Sequence, residues 1–198
     1  MIGCGVVFAV LIIILLMVFS YGRKNYNRMV ELNEEVKSKW SQVENQYQRR
    51  YDLIPNLVQT VKGYASHEKE TFQSIAEARA KAGGVFNISK DVLNDPATFQ
   101  KFQKVQNTLG QALHRLMVVQ ERYPELKADK NFLALQDQLE GTENRISVER
   151  KRFNDTAKLF NVFIKRFPQV MFAKMMGFEE TQYFKSSAGA DEAPKVQF

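Results

Sequence analysis

His67 and His114, the chain's two histidines, and Cys4, its one cysteine, are the residue types that most readily carry chemistry. Glu68 follows His67, as in a helix-borne zinc hydrolase, but that motif needs a second histidine four residues after the first. Here the next histidine is His114. A di-iron bundle needs Glu three residues before a histidine on each of two helices, and Tyr64 and Gln111 occupy those positions. One cysteine excludes a disulfide framework, and one cysteine with two histidines excludes a closed structural zinc site. As a nucleophile Cys4 is poorly placed, since it lies in an apolar run. Lys62-Gly63 and Gly83-Gly84 do not complete the G-x-x-x-x-G-K-[ST] pattern of a phosphate loop. The sequence therefore predicts no catalytic residue, no metal ligand and no cofactor. A metal-dependent enzyme assembled around His67 and His114 is the third of three readings.

The other constellations point to binding. The net charge of +6 is spread thinly, and no basic stretch interleaves with aromatics as in a nucleic-acid interface. No nucleic-acid partner is expected. Arg150-Lys151-Arg152, flanked by Glu149 and Asp155, reads as a solvated helix face, with anionic lipid headgroups as the functional alternative. Trp40 among polar neighbours, and Arg49, Arg50 and Tyr51 beside Asp52, read either as bundle packing with local ion pairs or as an interface between copies. Tyr64, Met171, Met175 and Met176 join them as candidate interface residues, and Tyr64, Glu68 and the Met-rich end as candidate contacts for a partner protein.

These residues must be positioned by helices. Ile2–Gly22 is 21 residues without a charge, enough for a helix of about 30 Å, the thickness of a bilayer's hydrocarbon core. No basic residue precedes the run, and Phe19-Ser20-Tyr21 is a poor cleavage site, so a retained anchor is expected instead of a signal peptide. Arg23, Lys24 and Arg28 follow it directly. By the positive-inside rule the N-terminus lies outside and the body in the cytoplasm of an inner-membrane protein.

Beyond the anchor, steps of three and four residues place Val36, Trp40, Val43, Tyr47, Tyr51, Ile54, Val58, Val61 and Ala65 on one face, continued by Phe72 and Ile75. The beat stays in phase across Pro55, which favours one helix kinked there and ended by Gly83-Gly84. The alternative is a break capped by Asp52. With a kink, three long helices carry the Met-rich end far from the membrane; with a break, four bring it back. Residues 85–94 form a connector with a short helical turn started by Ser89. Asp95-Pro96 then starts a helix whose face reads Phe99, Phe102, Val105, Leu109, Leu113 and Leu116. Another starts near Asp129, reads Phe132, Leu135, Leu139, Ile146, Phe153, Phe160, Phe163 and Phe167, and ends at Pro168. Five prolines and ten glycines are too few for a β-sandwich or barrel. The expected fold is all-α, with a transmembrane helix (1–24) followed by an elongated antiparallel, coiled-coil-like bundle of three to four long helices (25–184). Residues 168–184 form a Met- and Phe-rich end, and 185–198 a disordered acidic tail.

WSQVENQYQRRYDLIPNLVQTVKGYASHEKET (Trp40 to Thr71) resembles the signature segment of the LemA family. Glu121 to Asn161, containing LEGTENRI, is similar to its second block, and FPQVMFAKMMGFEETQYF (Phe167 to Phe184) to its third. The resemblance implies a single-pass bacterial membrane protein with an antiparallel helical bundle. It supplies no active site, cofactor or catalytic residue. It suggests scaffolding or adaptor work at a membrane, since one relative is linked to membrane-organelle formation and others are encoded beside an integral-membrane metalloprotease. The leading expectation is a membrane-anchored helical scaffold that self-associates into a homo-oligomer and organises partner proteins. The second is an adaptor of a membrane protease or envelope-stress system.

Overall fold

The computed structural model describes residues 2–86 and 90–185, and every regular element among them is helical. Ser89, the residues from Ser186 onward and the Cys4 side chain lie outside the described residues. Helix α1 (Ile2–Tyr64) is 63 residues long and continues through Pro55. A proline inside a helix removes one backbone hydrogen bond. Ile54 and Leu57 on either side are fully buried, so packing offsets that loss.

The chain does break, ten residues later. Ala65–Glu68 form a tight turn closed by the Glu68 amide donating to the Ala65 carbonyl (3.1 Å). Helix α2 (Lys69–Phe86) then runs back along α1. It passes through Gly83-Gly84, which therefore do not end an element. Gly83 lies where α2 crosses Tyr51, and a Cβ there would stand 2.9 Å from the Tyr51 hydroxyl. A short 3-10 turn, Lys90–Leu93, leads into α3 (Pro96–Val119). Asp95 caps α3 as expected, its carboxylate accepting from the amides of Ala97 (3.3 Å) and Thr98 (2.9 Å). After the single-turn α4 (Pro124–Lys127), Asp129 caps α5 (Lys130–Lys165), accepting from the Phe132 amide at 2.7 Å. Helix α6 (Gln169–Met175) closes the helical part.

Long helices α1 and α5 pack antiparallel over most of the rod, and α2 pairs with α3. The interior falls into two clusters. The distal one is a four-helix core of Ile54, Leu57, Val61, Ile75, Leu109, Leu116, Phe132 and Leu139, drawn from α1, α2, α3 and α5. The proximal one lies nearer the uncharged run. It joins Met29 to Tyr47 of α1 with Phe99, Phe102, Phe153, Phe160 and Ala173.

Helix α2 is too short to reach that lower half, and an extended strap takes its place. Gly177, with φ of 74°, turns the chain after α6. Residues 178–185 then climb along α5. Asn161 holds both sides of Thr181, donating to its carbonyl (2.8 Å) and accepting from its amide (2.9 Å). Asn154 does the same for Phe184. Phe184 thereby reaches Trp40, stacking at 5.9 Å between ring centroids. Arg150 donates to the Lys185 carbonyl, so the chain is still held at the residue where the tail was expected to begin.

Candidate interaction surfaces

Between the two cores lies a polar layer built on Arg50. Its Nη1 donates to Glu143 on α5 (2.8 Å), and its Nη2 donates to the Gln106 carbonyl (3.2 Å) and side-chain oxygen on α3. Its guanidinium also lies 5.0 Å from the centre of the Tyr47 ring. Arg50 is 3% exposed, Gln106 2% and Thr142 0%. One side chain thus ties α1 to both neighbouring helices. A slip of α3 by one turn would take the Gln106 acceptors from a buried cation, and a slip of α5 would take Glu143, so the layer fixes the register of three helices.

Trp40 is also interior. Its indole meets Phe99, Phe102, Phe153 and Phe184 at centroid distances of 5.2–5.9 Å, and its ring N–H bonds the half-buried Glu44 carboxylate, which burial pushes up. Trp40 and Arg50, read from the sequence as candidates for an interface between copies, are therefore spent inside this chain's own core. The reason is local: aromatics from α3, α5 and the strap converge on Trp40, and acceptors 56 and 93 residues away converge on Arg50. Tyr51 is half-buried, with the Arg79 guanidinium 4.0 Å from its ring centre. Tyr64 is solvent-exposed, yet its hydroxyl donates to Asp129 at 2.8 Å, joining the end of α1 to the cap of α5. That bond raises the phenol's pKa, while the Phe132 amide, followed by Tyr64, lowers that of Asp129. Glu68 is bound by Arg122 (3.0 Å) and the Tyr123 hydroxyl (3.3 Å). Arg49 faces solvent.

At the proximal end, α6 packs directly on the last residues of the uncharged run. Phe172 meets the Tyr21 ring at 6.4 Å and comes within 3.8 Å of where a Gly22 Cβ would stand. The Gln169 amide donates to the buried Asn25 (3.1 Å). The Met-rich end therefore returns to the start of the rod although α1 does not break at Pro55. The turn at Ala65–Glu68 supplies the fourth helix that the return requires.

Met171, Met175 and Met176 are 65%, 69% and 49% exposed. Phe167, expected on the apolar face of α5, is 81% exposed because α5 ends at Lys165 and the chain turns outward. Arg23, Lys24 and Arg28 are exposed at the same end, Arg28 paired with Glu31 at 2.7 Å. Sequence reasoning missed Asn25, Gln169 and Phe172, whose polar or unremarkable spacing gives no periodic signal. It also missed Arg166 and Lys174, which are exposed at the same end.

His67 sits in the distal turn and His114 on α3. Among the described residues no group of three or more metal-ligating side chains comes together. His114 instead borders an open cleft of about 600 Å³ between α3 and α5, with buried Leu113 and Leu139 at its base and Gln136, Glu140 and Glu143 on the α5 side. Helix α1, from its first described side chains onward, contains the one described helix that is long and apolar enough to cross a membrane.

Comparison with known proteins adds the following. The model of the LemA family matches residues 39–198. Magnetosome protein MamQ 2 of Paramagnetospirillum magneticum is 26% identical, with 96% of this chain and 76% of the relative aligned. Magnetosome protein MamQ of Magnetospirillum gryphiswaldense is 27% identical over 84% of this chain and 66% of its own. Protein LemA of Metamycoplasma hominis is 24% identical over 84% of this chain and 70% of its own.

Proposed function

The chain belongs to the LemA family, and from that premise we propose that it is a membrane-anchored, non-enzymatic scaffold whose bundle self-associates and holds partner proteins at a set height above the bilayer. In this reading Ile2–Gly22 spans the membrane, with the N-terminus outside and the bundle in the cytoplasm. The observation that carries it is the continuity of α1 from the uncharged run to Tyr64. A helix without a joint transmits position, so the anchor sets where every other element stands. At 1.5 Å per residue, the part of α1 beyond Lys24 extends about 60 Å. The cations at its exit favour a cytoplasmic body. Relatives named as magnetosome proteins agree with work at a membrane, and none of the relatives' names specifies a reaction.

The test is the mass of the full-length protein in mild detergent, together with crosslinking in cells. A defined oligomer, or a recurrent partner, supports the scaffold. A strict monomer with no crosslinked partner overturns it.

The α3–α5 cleft favours a second reading, an adaptor that docks a segment of a membrane protease or another membrane protein. Its apolar base and polar wall suit a short amphipathic helix. Specific co-purification of an integral-membrane protease, lost on widening Gly110 to a bulky residue, would support it; unchanged protease recovery would count against it.

A further inference from the structure

We infer that α6 and the turn before it form a second membrane contact, lying in the headgroup–acyl boundary of the leaflet from which α1 emerges. This rests on the reading that Ile2–Gly22 spans the bilayer. The level of α6 is fixed by α1. Phe172 packs on Tyr21 and Gly22, the last two residues before the first charge at Arg23, and Gln169 bonds Asn25. A bilayer that ends at Gly22 therefore ends beside α6.

The outward side chains suit that position. Phe167, Met171 and Met175 recur every four residues and are 81%, 65% and 69% exposed, while Phe172 and Ala173 face the bundle. Three large apolar side chains exposed within nine residues mark a surface that suits an apolar neighbour better than water. Arg166, next to Phe167, and Lys174, next to Met175, are exposed, as are Arg23 and Lys24 just beyond Gly22 on α1. None of these four makes an ion pair among the described residues, whereas Lys165 pairs with Glu180 at 2.7 Å. Long cationic side chains at the rim of an apolar face reach anionic headgroups while their stems stay in the boundary. Methionine, flexible and polarizable, suits a disordered lipid surface better than a fixed protein socket.

The consequence is mechanical. A single span lets a rod tilt and spin about the anchor; a second contact held at the same level restricts both.

The full-length chain with Cys4→Ser is reconstituted in vesicles of equal parts phosphatidylcholine and phosphatidylglycerol. Single cysteines at 15, 159, 171 or 175 carry an environment-sensitive fluorophore, quenched by lipids bearing nitroxides at known depths. Leu15 and Leu159 are comparably exposed, at 67% and 61%, and serve as anchor and bundle references. Circular dichroism confirms the fold of each variant. The proposal expects blue-shifted labels at 171 and 175, losing about half their emission to a shallow quencher, as for a helix about 5–10 Å into the boundary. The label at 15 should respond to the deep quencher, and that at 159 to neither. Deep quenching at 15 with wet, unquenched labels at 171 and 175 overturns the second contact and leaves the anchor standing. Blue-shifted but unquenched labels at 171 and 175 also overturn it, since a second copy would then cover the face. No quenching at 15 overturns the anchor and the inference with it.

Discussion

The distal and proximal halves of the rod solve one packing problem in two ways. Distally, four helices enclose a core made mainly of Leu, Ile, Val and Ala, with neighbours supplied by regular antiparallel pairing. Proximally, α2 is missing and an extended strap closes the gap. The core there turns aromatic, with Trp40, Tyr47, Phe99, Phe102, Phe153, Phe160 and Phe184. A strap has no helical ridges to interdigitate, so large rings fill the wider space, and each ring pair adds about 0.5–1.5 kcal/mol beyond its buried area. Two asparagines on α5 satisfy the strap's backbone, as the ladder of a helix would otherwise do. The half beside the uncharged run is thus the one assembled from the most distant parts of the chain.

Truncating Trp40 is the largest expected break in this contrast. Trp40→Ala removes the ring on which four phenylalanines converge and should cost about 4 kcal/mol in a denaturant melt in mild detergent. Leu57→Ala in the distal core should cost about 3 kcal/mol and leave the strap in place. The qualitative difference matters more than the numbers. Only Trp40→Ala should expose the chain after Gly177 to proteolysis, and equal protection in both variants would remove the distinction between the halves.

Arg50 tests the boundary. Arg50→Ala leaves the Gln106 side chain without its buried donor and should cost about 3 kcal/mol. It should also split one unfolding transition into two, because the layer couples the cores. Arg50→Lys should recover only part of the loss, since an ammonium cannot reach Gln106 and Glu143 with a planar fork. A single unsplit transition in Arg50→Ala would show that the halves are coupled elsewhere.

Acid should act on both halves through their caps. Hydrogen bonds from Thr98, and secondarily Ala97, hold the Asp95 carboxyl below its usual range, and the Phe132 amide and Tyr64 do the same for Asp129. A lowered folded pKa gives stability that is present above the unfolded value and lost as pH falls through the folded one. Amide exchange at the starts of α3 and α5 should therefore accelerate only below the ordinary carboxylate range. Asp95→Asn and Asp129→Asn should flatten that dependence.

Tyr64→Phe is the smallest change. It removes the phenol bond to Asp129, whose stabilisation is present below the ordinary tyrosine pKa and lost as pH rises through the raised one. Faster exchange confined to the distal tip is expected, with the proximal half unmoved.

These contrasts also mark what a sequence can reveal. The uncharged run, the caps Asp95 and Asp129 and the apolar faces of α3 and α5 are local signals, and they are legible. The turn at Ala65–Glu68 is not, because Ala65 and Phe72 keep the helical beat across it and neither Gly nor Pro interrupts it. Its cause is tertiary, with Glu68 taken by Arg122 and Tyr123. The strap has no period to read. Trp40 and Arg50 stand among polar neighbours in sequence and look like surface residues. Only partners from α3, α5 and the strap make them interior. At the candidate membrane-facing end, the methionines are visible in sequence, but their level beside Tyr21 depends on that unread turn.

The central claim is that the anchor and the rod are one rigid helix. The most direct measurement is a spin-label distance between Ser20→Cys and Gln59→Cys in full-length Cys4→Ser protein, diluted with unlabelled protein in lipid nanodiscs. An unbroken α1 predicts one narrow distribution near 60 Å, from about 1.5 Å of rise per residue. A broad distribution, or one centred below about 45 Å, would mean that the helix bends or breaks between Ser20 and Gln59, and that the anchor does not set the height of the bundle.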